Sequence, residues 1–294
     1  CQDVGRVAHP VFLRHICPAQ VAIDLDGKAA DIDALKEALL PLLPALEKET
    51  GSFSIQTRII EGYQPAYKRF DVNTPLAEAA QASGAVLDVK NPQQIVSVTL
   101  AEGQGWIGIS KASENLSDWA GGARRYKVEQ GQISRAEFKL LEAMETFGIT
   151  VRDGEHALDL GAAPGGWTRI LRRRGLYVTA VDPAALDPRL ERDKRVTHFR
   201  GTAQVYFKHP QPCDIMVNDM KMDSAQSATL MVEAAHCLQA GGTALVTLKL
   251  PEDVSEWMPR VEQAAEIFGN AYDVQGIRQL FHNRSEVTVY LTRK

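Results

Sequence analysis

From residue 157 onward, short apolar runs alternate with amphipathic stretches, and this alternation restricts the fold more than any other feature of the chain. ALDL (157–160), LYVTAVD (176–182), VTHF (196–199), CDIMVND (213–219) and TALVTLK (243–249) have the β-branched, apolar character of strands. Between them GWTRILRRR, SATLMVEAAHCL and VSEWMPRVEQAAEIF carry apolar residues at helical spacing. Ser134-Arg135-Ala136-Glu137 reads as a capping box opening a helix through Lys139, Leu140, Met144 and Phe147. Two strand-like segments, YDVQGIRQLF and EVTVYLTR, end the chain. The order predicts an α/β fold, a doubly wound Rossmann-like sheet ending in an antiparallel hairpin. In such sheets ligands bind beyond the carboxyl ends of the parallel strands, so chemistry is to be sought there.

The first part of the chain has a different rhythm. VAIDL, SFSIQTRI and QIVSVTLA alternate as strands, while DIDALKEALLPLLPALEKE (31–49) and PLAEAAQASG (75–84) read as helices. This predicts a smaller α+β domain over residues 1–112. The polar, glycine-containing stretch SENLSDWAGGARRYKVEQGQ (113–132) is the expected linker, leaving 133–294 for the α/β domain. A chain of 294 residues accommodates two such domains.

Composition removes several function classes. Hydrophobic residues make up 45% and charged residues 24%, as in a globular protein with a real core. No run approaches the roughly 18 apolar residues of a membrane helix. CQDVGRVAHPVFLRH lacks the apolar stretch of a signal peptide, so the cytoplasm is the expected compartment. Cys1, Cys17, Cys213 and Cys237 are scattered, without CxxC or Cys/His clustering, so neither zinc nor a disulfide framework is expected. A net charge of −4 disfavours nonspecific coating of nucleic acid. Arg124-Arg125-Tyr126-Lys127 and the run Arg169 to Arg174 are basic clusters, read either as solvated faces or as RNA contacts.

At the expected ligand edge the residues are distinctive. The first strand closes in Asp159-Leu160-Gly161-Ala162-Ala163-Pro164-Gly165-Gly166-Trp167 before a helix. Glycine allows sharp turns, and a helix N-terminus offers free N–H donors. The GxxxGG spacing is not the GxGxxG of dinucleotide enzymes, which disfavours an oxidoreductase. Asp182 ends the second strand, placed either to hold a ribose diol or to cap a turn before Pro183. Asp219 ends the fourth, and Lys249 ends the fifth, where a solvated strand cap is the plainer alternative.

With these motifs in order, the chain resembles the FtsJ-like RNA ribose 2′-O-methyltransferases. DLGAAPGGW, the aspartate of VNDM, the lysine of VTLK, the glutamate of SEVTVY and the helix SRAEFKLLEA match that family's landmarks over residues 134–292. Within it, LFHNRSEVTVYLTR and NDM…LKLP look closest to the bacterial 23S ribosomal RNA cytidine 2′-O-methyltransferases (RlmM-like). The segment from SFSIQTRII to GWIGIS is similar to a THUMP domain, which implies RNA docking. The resemblance implies a Rossmann-like methyltransferase sheet and S-adenosylmethionine as cofactor. It implies a catalytic set Lys139, Asp219, Lys249 and Glu286. Cofactor contacts then fall on Asp159, Gly161, Ala162, Pro164, Gly165, Gly166, Trp167, Asp182 and Asp219. The family's acidic adenine contact is replaced here by HFRGTAQVY, which leaves that role to Thr202 or a backbone group.

The implied activity is methyl transfer to a ribose 2′-hydroxyl of RNA, with ribosomal RNA as the expected partner and no membrane or metal involved. A 2′-hydroxyl needs a base, and a lysine serves only if burial or a neighbouring cation lowers its pKa. Lys249 is the expected base, oriented by Asp219, with Lys139 and Glu286 positioning the substrate. The alternatives are a methyltransferase acting on tRNA or on a base nitrogen, and a noncatalytic RNA-binding or assembly protein that keeps the fold. Asn218-Asp219-Met220-Lys221 lacks the Pro-Pro-aromatic pattern of base-methylating enzymes.

Overall fold

The computed structural model describes residues 10–46 and 51–294. Cys1, most of the segment read for a signal peptide, and the end of the helix expected over 31–49 lie outside them. The described residues divide into two units, 13–124 and 10–12 with 125–294. The expected linker is thereby split: its part up to Arg124 belongs to the first unit and the remainder to the second.

In the first unit, strands β1 (Val21–Asp24), β2 (Ser52–Ile59), β3 (Val86–Leu87), β4 (Gln94–Ala101) and β5 (Gln104–Lys111) form one sheet in the order β1-β5-β4-β2-β3. Helices α1 (Asp31–Leu39) and α2 (Arg69–Ala82) bury Leu35, Leu39, Val72 and Leu76 against Phe53, Val96, Val98 and Ile107. After Leu39 the chain tightens into a 3₁₀ turn, Leu40–Ala45, because Pro41 and Pro44 have no amide for an α-helical ladder. Helix α2 begins earlier than expected. The Asp71 carboxylate accepts from the Lys68 amide at 2.8 Å and caps it, so Pro75 lies inside the helix.

Strand β5 is not among the strands expected, and Gly105 and Gly108 interrupt its pattern. The structure gives their reason. A Cβ on Gly108 would sit 2.3 Å from the Pro18 carbonyl oxygen, and one on Gly105 would sit 2.8 Å from the Leu25 side chain. Strand glycine here marks close passage of the neighbouring chain. Gly108→Ala is expected to lower stability by about 1–3 kcal/mol through overpacking, read by urea unfolding. A variant as stable as the parent would mean that the Pro18 segment yields freely.

The second unit carries seven strands, β6 (His156–Leu160), β7 (Tyr177–Val181), β8 (Val196–Phe199), β9 (Cys213–Asn218), β10 (Leu238–Lys249), β11 (Tyr272–Arg278) and β12 (Glu286–Arg293). Their order is β11-β12-β10-β9-β6-β7-β8, with β6 to β10 parallel. Strands β11 and β12 pair antiparallel, and β12 also pairs antiparallel with β10, so the last strand lies inside the sheet. Helices are α3 (Glu137–Thr146), α4 (Gly166–Arg173), α5 (Pro188–Glu191), α6 (Ala203–Tyr206), α7 (Ser224–Ala234) and α8 (Trp257–Phe268).

Alternation along the strands separates two cores. Leu158, Leu160, Met216, Val246 and Leu248 face Met231, Val261 and Phe268 of α7 and α8. Ala157, Ile215, Val217 and Leu245 face Leu140 and Met144 of α3 and Trp167, Ile170 and Leu171 of α4. The sheet is therefore covered on both faces, as its near-continuous apolar strands require. The parallel register brings Leu160, Val181, Phe199, Asn218 and Lys249 to one edge, each followed by a loop.

Candidate active site

The loop between β6 and α4 owes its glycines to its own chain. Gly161 has φ +72° and Gly165 φ +108°, in the left-handed region that side chains resist. A Cβ on Gly161 would lie 2.4 Å from the Met220 side chain, and one on Gly166 would lie 2.2 Å from Ser134 Oγ. The loop is thus pressed against the β9 strand end. Helix α4 starts without a side-chain cap, and its Thr168 amide is taken by Asp159, so a polar ligand would be left the amides of Gly166 and Trp167.

Around this loop the expected cofactor residues divide into several kinds. Asp182 is half-buried at the end of β7, and its carboxylate accepts from the amides of Ala163 (3.1 Å) and Ala184 (2.8 Å). Each carboxylate oxygen retains a lone pair for a diol. Asp159 is buried and accepts from Thr168 Oγ1 at 2.6 Å. Ala162 is buried against Leu186 and Leu190, while Pro164 is exposed. Thr202 is exposed and precedes α6; the adjoining Asp182 amide donates to the Phe199 carbonyl. The Trp167 ring packs in the α3–α4 core, its Nε1 donating to the Ala136 carbonyl at 2.7 Å. Only its backbone is left for a cofactor.

The four charged residues implied by the resemblance converge. Lys249 Nζ lies 2.5 Å from Asp219 Oδ1 and 2.9 Å from Glu286 Oε1. Lys139 Nζ lies 3.3 Å from Asp219 Oδ1 and 2.7 Å from Glu286 Oε2. Two ammonium and two carboxylate groups thus alternate in a closed, neutral ring. Lys249 and Glu286 face each other directly across the β10–β12 ladder, so strand register sets their contact. Each side chain keeps between 16% and 20% of its surface, enough for a substrate to reach the ring.

Burial works against charge at Lys139, but Asp219 and Glu286 outweigh it and hold the ammonium above its ordinary pKa. Burial also opposes ionisation of Glu286, yet Lys139 and Lys249 keep its carboxyl below the usual range. The expected mutual depression of the lysines is therefore not realised at Lys139. Alternation of sign, rather than cation beside cation, dominates.

Supporting residues escaped sequence reasoning. Glu142, one helical turn beyond Lys139, accepts from the amides of Phe281 (2.8 Å) and His282 (2.9 Å) and binds His282 Nδ1 at 2.6 Å. Asn283 Oδ1 accepts from the Leu280 amide and Thr288 Oγ1, fixing the loop that enters β12 at Glu286. Asn218 is fully buried; its Oδ1 accepts from the Met220 amide at 2.9 Å and pins the turn carrying Asp219. The available signal was polarity where the apolar pattern demands burial. The expected capping box is half formed: Glu137 Oε1 accepts from the Ile133 and Ser134 amides, but the Glu137 amide bonds the Ser134 carbonyl, not its hydroxyl.

Burial raises Asp159 from 3.8 to about 7, against the Thr168 hydrogen bond and with the Asp219 and Asp182 charges adding to the rise. The folded protein therefore holds this proton across a window where the unfolded chain has lost it. Stability from this group is lost as pH rises from about 4 through about 7. Asp159→Asn should flatten that part of the melting-temperature profile, measured for both proteins from pH 4 to 8. Parallel profiles would show that Asp159 stays ionised throughout.

A family model for FtsJ-like methyltransferases matches residues 132–267. A curated relative named ribosomal RNA large subunit methyltransferase M, from Laribacter hongkongensis, is 38% identical over 188 residues, covering 60% of this chain and 52% of its own length. Relatives of the same name from Pseudomonas fluorescens (32% over 240 residues; 77% of this chain, 65% of the relative) and Shewanella sp. strain ANA-3 (34% over 233; 74% and 63%) extend the match. The chain spans about half to two thirds of the length of these relatives. The matched segment contains the glycine loop, Asp182, Asp219, Lys139 and Lys249, so the similarity to FtsJ-like methyltransferases falls on the residues that build the site, Glu286 excepted.

Proposed function

We propose that the chain transfers a methyl group from S-adenosylmethionine to a ribose 2′-hydroxyl of RNA, with large-subunit ribosomal RNA as substrate and the cytoplasm as its place of action. The observation that carries this reading is the neutral ring of Lys139, Asp219, Lys249 and Glu286 at the strand edge, abutting the glycine loop. Asp182 would hold the cofactor ribose, and the Gly166 and Trp167 amides with the backbone of residues 161–165 would hold its polar tail. Thr202 or its neighbouring backbone would meet the adenine.

When bound, S-adenosylmethionine supplies an electrophilic methyl group and a positive sulfur that opposes the ammonium form of a nearby lysine. Lys249 Nζ would accept the 2′-hydroxyl proton as the oxygen takes the methyl group, the sulfur–methyl bond breaking to leave a neutral thioether. Asp219 and Glu286 orient that amine and stabilise the ammonium it becomes. Lys139, held cationic by the same carboxylates, positions the ribose oxygen. Alignment of oxygen and methyl carbon supplies much of the rate.

We also assign RNA docking to the first unit. Deleting residues 1–124 does not isolate that role cleanly, because Val11 belongs to the core of the second unit and Phe12 packs on Trp257 at 5.4 Å. A deletion that retains residues 10–12 is the appropriate reagent, and RNA affinity should fall while cofactor affinity persists.

One S-adenosylmethionine should bind per chain, more tightly than NAD, in calorimetry; the reverse order would overturn the cofactor reading. Lys249→Met keeps most of the side-chain length and removes the amine. Single-turnover methyl transfer to an unmodified ribosomal RNA transcript should fall by about 10²–10⁴-fold. Cofactor affinity should stay near the parent value. Near-parental transfer would remove Lys249 from the mechanism and move the base to Lys139.

A further inference from the structure

Beside the charged ring stands a group of aromatic side chains that the chemistry above does not use. Tyr126 stacks on Phe138 with ring centroids 5.8 Å apart, and His282 lies 5.5 Å from Tyr126, 5.3 Å from Phe138 and 5.2 Å from Phe281. All four rings are half-buried, and none belongs to the apolar cores of the second unit. Aromatic surface of this size gathered outside a core needs another explanation.

Its position supplies one. Phe138 immediately precedes Lys139 on α3, and His282 lies on the loop that enters β12 at Glu286. Glu142, on the Lys139 face of α3, grips both the backbone and the ring of His282. The imidazole is thus held in one orientation by a carboxylate, and the ring of charges and the aromatic group share the same two supporting elements. Tyr126 is fixed in turn by donating its hydroxyl to Glu145 at 2.7 Å. On either side of it, Arg125 and Lys127 are exposed cations. Flat rings flanked by cations are the combination that binds single-stranded nucleic acid, the rings stacking on bases and the cations meeting phosphates.

We propose that Tyr126, Phe138 and His282 form a stacking platform for the base of the nucleotide whose ribose is methylated, with Arg125 and Lys127 on its flanking phosphates. The inference rests on the RNA methyltransferase reading of the same site. A stacked base fixes its own ribose, so the platform positions the 2′-hydroxyl for Lys249 without touching it. Tyr126, Phe138 and His282 are positioning residues, and Glu142 fixes the imidazole. The platform accepts any base face, so sequence choice comes from elsewhere on the RNA.

The test is single-turnover methylation of an unmodified large-subunit ribosomal RNA transcript, followed by a synthetic fragment spanning the modified nucleotide with and without its base. Phe138→Ala and His282→Ala should each lower the rate about 10–100-fold, the range for losing one stacking contact. Cofactor affinity and melting temperature should be retained. His282→Phe keeps a stacking face and should recover most of the rate, whereas an imidazole with a proton-transfer role would not be rescued. On the abasic fragment the parent enzyme should fall to the level of the alanine variants, and the variants should lose little more. Equal loss by parent and variants on the abasic fragment, or unimpaired alanine variants, would overturn the platform and leave the methyltransferase reading intact. An inactive parent enzyme would overturn both.

Discussion

Register between β10 and β12 is the constraint on which the site depends. Lys249 opposes Glu286 at one end of a ladder whose other pairs, Leu248 with Val287 and Val246 with Val289, are buried apolar contacts. The apolar pairs decide the register, since a slip by one residue would turn every side chain of β12 to the opposite face. The charged pair inherits its geometry from that choice. Its polar atoms need no separate scaffold, only the last position of two strands that the core has already aligned. Asp219 and Lys139 then close the ring from β9 and α3, with buried Asn218 pinning the turn that carries Asp219 and buried Glu142 tying α3 to the loop that enters β12.

The ring also explains how four ionised groups coexist where water is scarce. Isolated charges at this depth would shift toward their neutral forms. Alternating them lets every ammonium meet two carboxylates and every carboxylate two ammonium groups. Lys139 is held charged and Glu286 is held charged, so the resting site is organised around an excess of attraction. The ring by itself is a locked arrangement.

Much of this was legible in the sequence because it follows from periodicity. The strands ending at Leu160, Val181, Asn218 and Lys249 announced themselves by apolar runs, and topology alone carries their loops to one edge. Asp219 and Lys249 were legible for the same reason, as charges closing apolar strands, whereas Lys139 and Glu286 were reached only through the family resemblance. What periodicity does not encode is tertiary approach. Gly105 and Gly108 interrupt the side-chain pattern of β5, and only the tertiary approach of Leu25 and Pro18 accounts for them. Trp167 follows a glycine loop, yet its ring belongs to the core because helix α4 turns that face toward α3. Glu142 looks like an ordinary helix-surface residue, and only the loop at Phe281 and His282, far along the chain, gives it its partners.

The short segment 10–12 has a wider consequence. Val11 lies in the core of the second unit, and its carbonyl accepts from the Gln279 amide at 2.7 Å, yet the chain then runs through residues 13–124 of the first unit before returning at Arg125. Among the described residues, 13–124 form an insertion into the second unit. Within it, Gly122 packs against the Arg14 backbone and the Ile16 amide donates to the Asn115 carbonyl, so its two chain ends leave side by side. Joining Val11 to its core across an unfolded intervening segment would carry a loop-closure cost of about 4 kcal/mol. Folding the insertion first removes most of that cost by bringing its ends together. During synthesis the first unit can therefore complete itself while Val11 waits for the strands that will surround it. Loss of structure in the insertion would loosen the tether that holds Val11 in its apolar core by entropy alone, without a contact being broken there.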